Sequence, residues 1–279
     1  MKIINWNISW MNDIIPKIEY LKKLLLGNTF VAILQEVKPH VFGVLKEHLS
    51  SVAHLEYSLF HRIPGKYDTD SRKLGVVILI SKDIDLVDAK VIDRALMPER
   101  TLLVDVIFDK TPLRILGLHS ISGCQHGKAK EIQYFSFAEA VDTYKPDVVG
   151  IDANEPKKDH YDIKKMEFFD NYQKGNGCRC FFDTMMQNAL TDAFVKKYEK
   201  CQFVEGECLA ISHLIKRGNK KVRYDFLFFD DEKFSDYSCE YHYEESVRAG
   251  SDHAAVVMTV SELTPCAPVR SESNKGKPI

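Results

Sequence analysis

Apolar residues along this chain recur in two periods, and segments of each kind alternate. Lys2–Ile8 reads as a strand. Over Lys17–Leu26, Ile18, Leu21, Leu24 and Leu25 share one helical face until Gly27-Asn28 ends it. Phe30–Leu34 is a continuous apolar run, the pattern of a strand covered on both faces. Pro39 opens a second helix to Leu49, with Val41, Val44, Leu45 and Leu49 apolar. From Leu55 to His119 the chain turns strand-rich, with strands expected over Glu56–His61, Gly75–Ser81, Val87–Ile92, Leu102–Phe108 and Arg114–His119. A helix fits Lys128–Tyr144 and a buried strand Val148–Asp152. A polar, helix-capable insertion is expected over about residues 157–221, with a loop at Lys174-Gly175-Asn176-Gly177 and a helix over Thr191–Lys200. Strands over Val222–Phe229, Asp236–Tyr243 and Ala254–Ser261 follow, and the Pro-, Ser-, Lys- and Gly-rich residues 264–279 read as a flexible tail. Two strand-rich halves with helices at intervals predict two stacked sheets flanked by helices, in one α/β domain over residues 1–263.

Composition narrows the functional classes. With 45% hydrophobic and 28% charged residues, the chain is neither disordered nor fibrous, and 279 residues suffice for a sizeable core. Lys and Arg total 38 against 40 Asp and Glu, a net charge of −2. That excludes a long-range basic field able to hold duplex DNA by charge alone, so phosphate-binding chemistry has to be local. Met1–Trp6 lacks the marks of a signal peptide, and runs such as Val76–Ile80 are far short of the ~20 residues that span a bilayer, so no membrane association is expected. Seven cysteines, an odd number, fit reduced thiols and a cytoplasmic location. Cys178, Cys180, Cys201, Cys208 and His213 invite a zinc reading. Their spacing, C-x-C and then C-x6-C-x4-H, matches no standard finger or ribbon, and small buried thiols are the plainer reading.

Polar residues recur where apolar strands end or begin. Asn7 follows Ile3–Trp6, Glu36 follows Val31–Gln35, His119 follows Leu113–Leu118, and Asp152 and Asn154 close Asp147–Ile151. Asp225 sits among apolar neighbours, and Asp252-His253 immediately precedes Ala254–Val260. Singly, each reads as a solvated turn residue. Asp225 is the exception, because a buried carboxylate needs a partner. Strand ends gathered at one edge of a sheet sandwich would bring the whole set together.

The motifs Trp-Asn-Ile-Ser at Asn7, Leu-Gln-Glu-Val at Glu36, Leu-His-Ser at His119, Asp-Ala-Asn at Asp152 and Asn154, Arg-Tyr-Asp-Phe at Asp225 and Ser-Asp-His-Ala at Asp252-His253 resemble, in order, those of the endonuclease/exonuclease/phosphatase superfamily. The resemblance covers about residues 1–263 and implies a four-layer sandwich of two packed mixed β-sheets flanked by helices. It also implies a phosphoric diester hydrolase, a nuclease (such as an endonuclease) or nucleotide phosphodiesterase, dependent on Mg2+ or Mn2+. Oxygen ligands suit those ions, which neutralise phosphoryl charge. By the same resemblance Glu36 is the principal metal ligand, with Asn7 and Asp252 in the metal region. Asp152 would orient and deprotonate the attacking water while Asn154 holds it. His253 would bind the phosphate, with Asp225 favouring its cationic form, and His119 would be a second phosphate contact or proton donor.

The pattern departs from the family in two places. Ile151 stands where most members have Gly before the catalytic Asp, which would reshape the floor of the site, and no carboxylate in Leu74–Ile80 supports His119. For substrate contacts, the basic run Lys216–Arg223, with Lys220, Lys221 and Arg223, is read either as a wall of a phosphate groove or as a solvated loop. Arg100, before a strand, is a phosphate contact or an ordinary surface arginine. Trp10 is a stacking surface for a base, and Trp6 is core. Nucleic acid or a nucleotide is the expected substrate. The alternatives are a phosphatase or phosphodiesterase for a small phosphorylated metabolite and a non-catalytic module that binds a phosphorylated partner.

Overall fold

Strand alternation decides which face each residue covers, and the buried residues sort into three apolar layers. The computed structural model describes residues 1–63, 73–169, 177–198 and 208–263. In chain order the elements are β1 (Lys2–Asn7), α1 (Ile15–Leu25), β2 (Phe30–Val37), α2 (Pro39–Leu49), β3 (Ala53–Tyr57), α3 (Ser58–His61), β4 (Gly75–Ser81), β5 (Asp85–Lys90), β6 (Thr101–Phe108), β7 (Thr111–His119), α4 (Gly123–Tyr144) and β8 (Val148–Asp152). Then follow α5 (Gly177–Gln187), β9 (Leu190–Asp192), α6 (Ala193–Tyr198), β10 (His213–Ile215), β11 (Lys220–Val222), β12 (Asp225–Asp230), β13 (Phe234–His242), α7 (Tyr243–Arg248) and β14 (Ala255–Leu263).

Two six-stranded sheets result, ordered β13-β14-β1-β2-β4-β3 and β5-β6-β7-β8-β12-β9. Both are mixed: β1 runs parallel to β2 and β7 parallel to β8, while their other pairings are antiparallel. Ile3, Ile33, Ile78, Val104, Ile115, Leu227 and Met258 fill the space between the sheets. Ile4, Leu34 and Leu79 face the other way, against Ile18 and Leu21 of α1 and Leu45 of α2. On the second sheet Leu116, Val149, Ile151 and Phe228 pack against Tyr134 and Phe137 of α4 and Phe181 and Phe182 of α5. This is the four-layer sandwich.

Two glycines let the sheets approach closely. A Cβ on Gly117 would come within 2.8 Å of Ile33 and Val76, and one on Gly150 within 2.5 Å of Ile33 and 2.7 Å of the Asn5 side chain. Alternation then turns Ile151 to the outer, helix-covered face, so it packs in the α4–α5 layer and does not reshape the floor of the site.

Several boundaries differ from expectation. Glu56–His61 is not one strand: β3 ends at Tyr57 and α3 follows, with Ser58 Oγ donating to the Glu99 carbonyl. Val222–Phe229 is broken at Arg223-Tyr224, where Ser212 Oγ accepts from the backbone N–H groups of Tyr224 and Asp225. The helix expected over Thr191–Lys200 is preceded by β9, an edge strand of the second sheet, so part of the expected insertion belongs to the sandwich. The expected tail at 264–279 and most of the Lys174–Gly177 loop lie outside the described residues. Among the described residues, no helix is long and apolar enough to cross a membrane.

Candidate active site

Parallel pairing puts strand ends side by side. In register, Asn7 of β1 lies opposite Gln35 of β2, and His119 of β7 opposite Asp152 of β8, which faces Asp225 of β12. Asp252-His253 enters β14 beside β1, and Trp6 Nε1 donates to the His253 carbonyl at 3.1 Å. Ser251 Oγ closes this edge, donating to the Asn7 carbonyl at 2.7 Å and accepting from the His253 N–H at 3.1 Å. Glu36 reaches the rim through a bulge between Leu34 and Val37, where its φ is 61°. That left-handed conformation is uncommon for a residue with a Cβ and re-aims the carboxylate out of the strand's alternation.

The groups meet at contact distance. Asn7 Nδ2 donates to Asp152 Oδ2 at 2.8 Å, and the Asn154 N–H donates to Asp152 Oδ1 at 3.1 Å. Asn154 Nδ2 lies 3.1 Å from the Ser120 carbonyl and 3.3 Å from Asp152 Oδ2. His119 Nε2 is 3.7 Å from both Glu36 Oε1 and Asp152 Oδ2. His253 Nδ1 is 2.9 Å from Asp225 Oδ2. Trp6 is fully buried, as its position on the strand predicts.

Burial pushes the Glu36 and Asp152 carboxyls up, with the His253 charge opposing it in both cases. For His253, burial alone favours the neutral ring. Asp225 and Asp152 outweigh it and raise the imidazole to about 10, so the ring is cationic at neutral pH. His119 goes the other way: burial and the nearby Arg100 guanidinium hold it well below its usual value, so it stands neutral. The site therefore pairs one charged with one neutral imidazole.

No family model matches this sequence and no curated relative does. Solved structures do. D. rerio TDP2 complexed with single strand DNA product has a TM-score of 0.60 at 14% identity, over 94% of this chain and 99% of that one. The human Nocturnin catalytic domain with bound sulfate anion gives 0.60 at 12% identity, over 95% and 94% of the two chains. The 3′ phosphatase NExo from Neisseria, bound to product DNA hairpin, gives 0.60 at 18% identity, over 94% and 100%. The chain has the endonuclease/exonuclease/phosphatase fold.

Within that fold the donor set suits a hard divalent cation. Glu36, His119 and Asp152 offer ligand atoms within 4.8 Å of one another. The Asp152 charge also raises the Glu36 carboxyl, a repulsion between a buried and a half-buried carboxylate that a cation would relieve. Asp252 belongs to a separate group with His213 and His253 and hydrogen-bonds Ser9. Among the described residues no cysteine enters such a cluster: Cys178, Cys180 and Cys208 are half-buried free thiols, and Cys201 lies outside the described residues.

The expected substrate contacts fare unequally. Arg223 is not one: its side chain is 0% exposed and lies between Asp159, at 2.8 and 2.9 Å, and Asp192, at 2.6 Å. Arg100 is not a surface arginine; it is 8% exposed, with Nη1 3.0 and 3.1 Å from the two His119 ring nitrogens. Trp10 sits at the rim, 44% exposed, its N–H donating to Glu36 Oε2 at 3.3 Å and Lys38 Nζ lying 3.8 Å from its ring centroid. Lys220 and Lys221 are exposed on β11.

Three further residues carry no sequence signal for this site. His213 stacks on His253 with ring centroids 4.5 Å apart, and its Nδ1 lies 2.9 Å from the Asp252 carbonyl. A carbonyl only accepts, so His213 Nδ1 bears the hydrogen. Lys130 of α4 is buried and braces the Asp-Ala-Asn turn, donating to the Asn154 carbonyl at 2.7 Å and to Glu155 at 3.0 Å. Lys17 of α1 is buried against the Ser9 carbonyl.

Proposed function

We propose that this chain is a divalent-metal-dependent phosphoesterase that hydrolyses phosphodiester bonds of nucleic acid or nucleotides by direct attack of an activated water. The observation that carries the reading is the meeting of Asn7, Glu36, His119, Asp152, Asn154 and the Asp225–His253 pair at one rim. Glu36, with Asn7 and Asp152, would hold magnesium or manganese, which supplies neutralisation of phosphoryl charge. Asp152, held by Asn7 and Asn154, orients the water and takes its proton, and burial suits it to the role of base. Cationic His253 answers the charge that develops on the phosphate, while Asp225 fixes its proton on Nδ1. Neutral His119, backed by Arg100, presents Nε2 toward Glu36 and Asp152 as a positioning group. Trp10 offers a stacking face for a base. The cytoplasm is the proposed compartment, in keeping with free thiols at Cys178, Cys180, Cys208 and Cys239.

The test is incubation with single-stranded DNA, RNA, plasmid and an aryl phosphodiester, with and without magnesium. Magnesium-dependent cleavage of a nucleic acid is the expected result. Cleavage of the aryl diester alone transfers the reading to a small phosphorylated metabolite. No cleavage by wild type or by His253→Ala leaves a binding module.

A pH effect follows from the Asp225–His253 pair. A folded-state value raised to about 10 means that the stabilisation by His253 is fully present below its unfolded value near 6.5 and is lost as pH rises through 10. In EDTA, the melting temperature of wild type should therefore fall between pH 7 and 10 more than that of His253→Gln. Parallel pH profiles would show that the pair is not ionised as described.

A further inference from the structure

Arg223 leads from the reaction centre to a second concavity. Beside it lies a cleft of about 270 Å³, walled by Lys157 after β8 and by Lys220 and Lys221 of β11. Its floor is already neutralised: Arg223 is spent on Asp159 and Asp192. Lys158 is likewise spent on Glu167, at 2.5 Å. Lys220 donates to the Lys157 carbonyl at 3.0 Å, which ties the two walls together, and Lys221 is exposed on the same strand. Lys157, Lys220 and Lys221 thus line a small hollow in which, among the described residues, Asp159 supplies the one carboxylate, and it already has a guanidinium partner.

The cleft adjoins the catalytic rim along two routes. Its Pro156 edge is two residues past Asn154. On the other side, Val222 lines the cleft and pairs with His213, which itself bridges to His253. Two strand spacings of about 4.8 Å put that wall roughly 10 Å from the His253 backbone. The chain's net charge of −2 makes such a local concentration of positive charge selective for an anion held beside the reacting one.

We propose that the Lys157–Lys220–Lys221 cleft is a second phosphate subsite, which takes a phosphate adjacent to the diester under attack. The substrate then carries at least two phosphates, as a nucleic-acid strand does and an isolated diester does not. The placement rests on the phosphoesterase reading, whereas the binding of phosphate in the cleft does not.

The test compares TpT, which has one phosphate, with 5′-phosphorylated pTpT, by calorimetry in EDTA so that nothing turns over. Wild type should bind pTpT about tenfold more tightly. A Lys157→Ala/Lys221→Ala protein should lose that preference, and its salt dependence of binding should flatten by about one unit of slope per lysine removed. Hexanediol bisphosphate, a non-nucleotide, separates the sources: lysine-dependent binding equal to that of pTpT shows that phosphate alone is read, and weaker but lysine-dependent binding shows that the base adds to it. Equal affinity of wild type for TpT and pTpT overturns the subsite, as does a preference unchanged in the double variant at an unchanged melting temperature. Magnesium-dependent hydrolysis of the aryl diester by wild type reports on the catalytic reading separately, because that substrate has no second phosphate.

Discussion

Glu36→Ala is expected to lower magnesium-dependent phosphodiester hydrolysis by about 10³-fold, because a divalent ion contributes several kcal/mol to such a transition state and Glu36 is the carboxylate proposed to hold it. Glu36→Gln should fall nearly as far. The glutamine keeps the acceptor for the Trp10 N–H but not the charge, so the pair of variants separates charge from shape. Both proteins should melt at or above the wild-type temperature in EDTA, since burial and the Asp152 charge already disfavour an ionised Glu36. Loss of activity with retained stability marks a group kept for function and not for the fold, and a weakened metal dependence beside it marks a ligand. A Glu36→Ala enzyme with unchanged rate and metal dependence would remove Glu36 from the centre.

Arg223→Ala is expected to have the largest effect on stability. Its guanidinium bridges Asp159 and Asp192, whose side chains are both 5% exposed, and removing it strands two buried carboxylates. Burial already pushes the Asp192 carboxyl up, and Arg223 is the main opposing influence. Breaking such a buried pair from one side costs about 3–5 kcal/mol. The urea midpoint should drop accordingly, and less so in an Arg223→Ala/Asp192→Asn protein, where one of the stranded charges is also gone. An unchanged midpoint would mean that the bridge contributes nothing net.

The candidate rim was legible in the sequence because its residues sit at the boundaries of apolar runs, and strand boundaries are what periodicity locates. Asp225 stood out for the same reason, as one acid inside Arg223–Phe229, and it faces Asp152 in register. Arg223 was misread because a basic run looks alike whether it is solvated or buried. Its partners lie 64 and 31 residues away, and only the tertiary arrangement reveals them. For Arg100 only the surface alternative fails, because its position before a strand carries no sign that His119 lies beside it. His213 drew notice only as a companion of cysteines, since nothing in its neighbours betrays that β10 pairs back onto His253. The broken strand at Arg223-Tyr224 was hidden because the breaking agent, the Ser212 hydroxyl, comes from a distant loop. Ile151 was judged by the family pattern alone, where simple alternation from Gly150 would have turned it outward.

The reactive rim is shared between the sheets. Asn7, Glu36 and His253 come from or adjoin strands of the first, and His119, Asp152 and Asp225 belong to the second. A folding intermediate with one sheet formed and the other undocked would own only half of the constellation. Recovery of turnover during refolding should accordingly lag the return of far-ultraviolet circular dichroism and coincide with closure of the Gly117–Gly150 seam, making enzymatic output a clock for the final docking event.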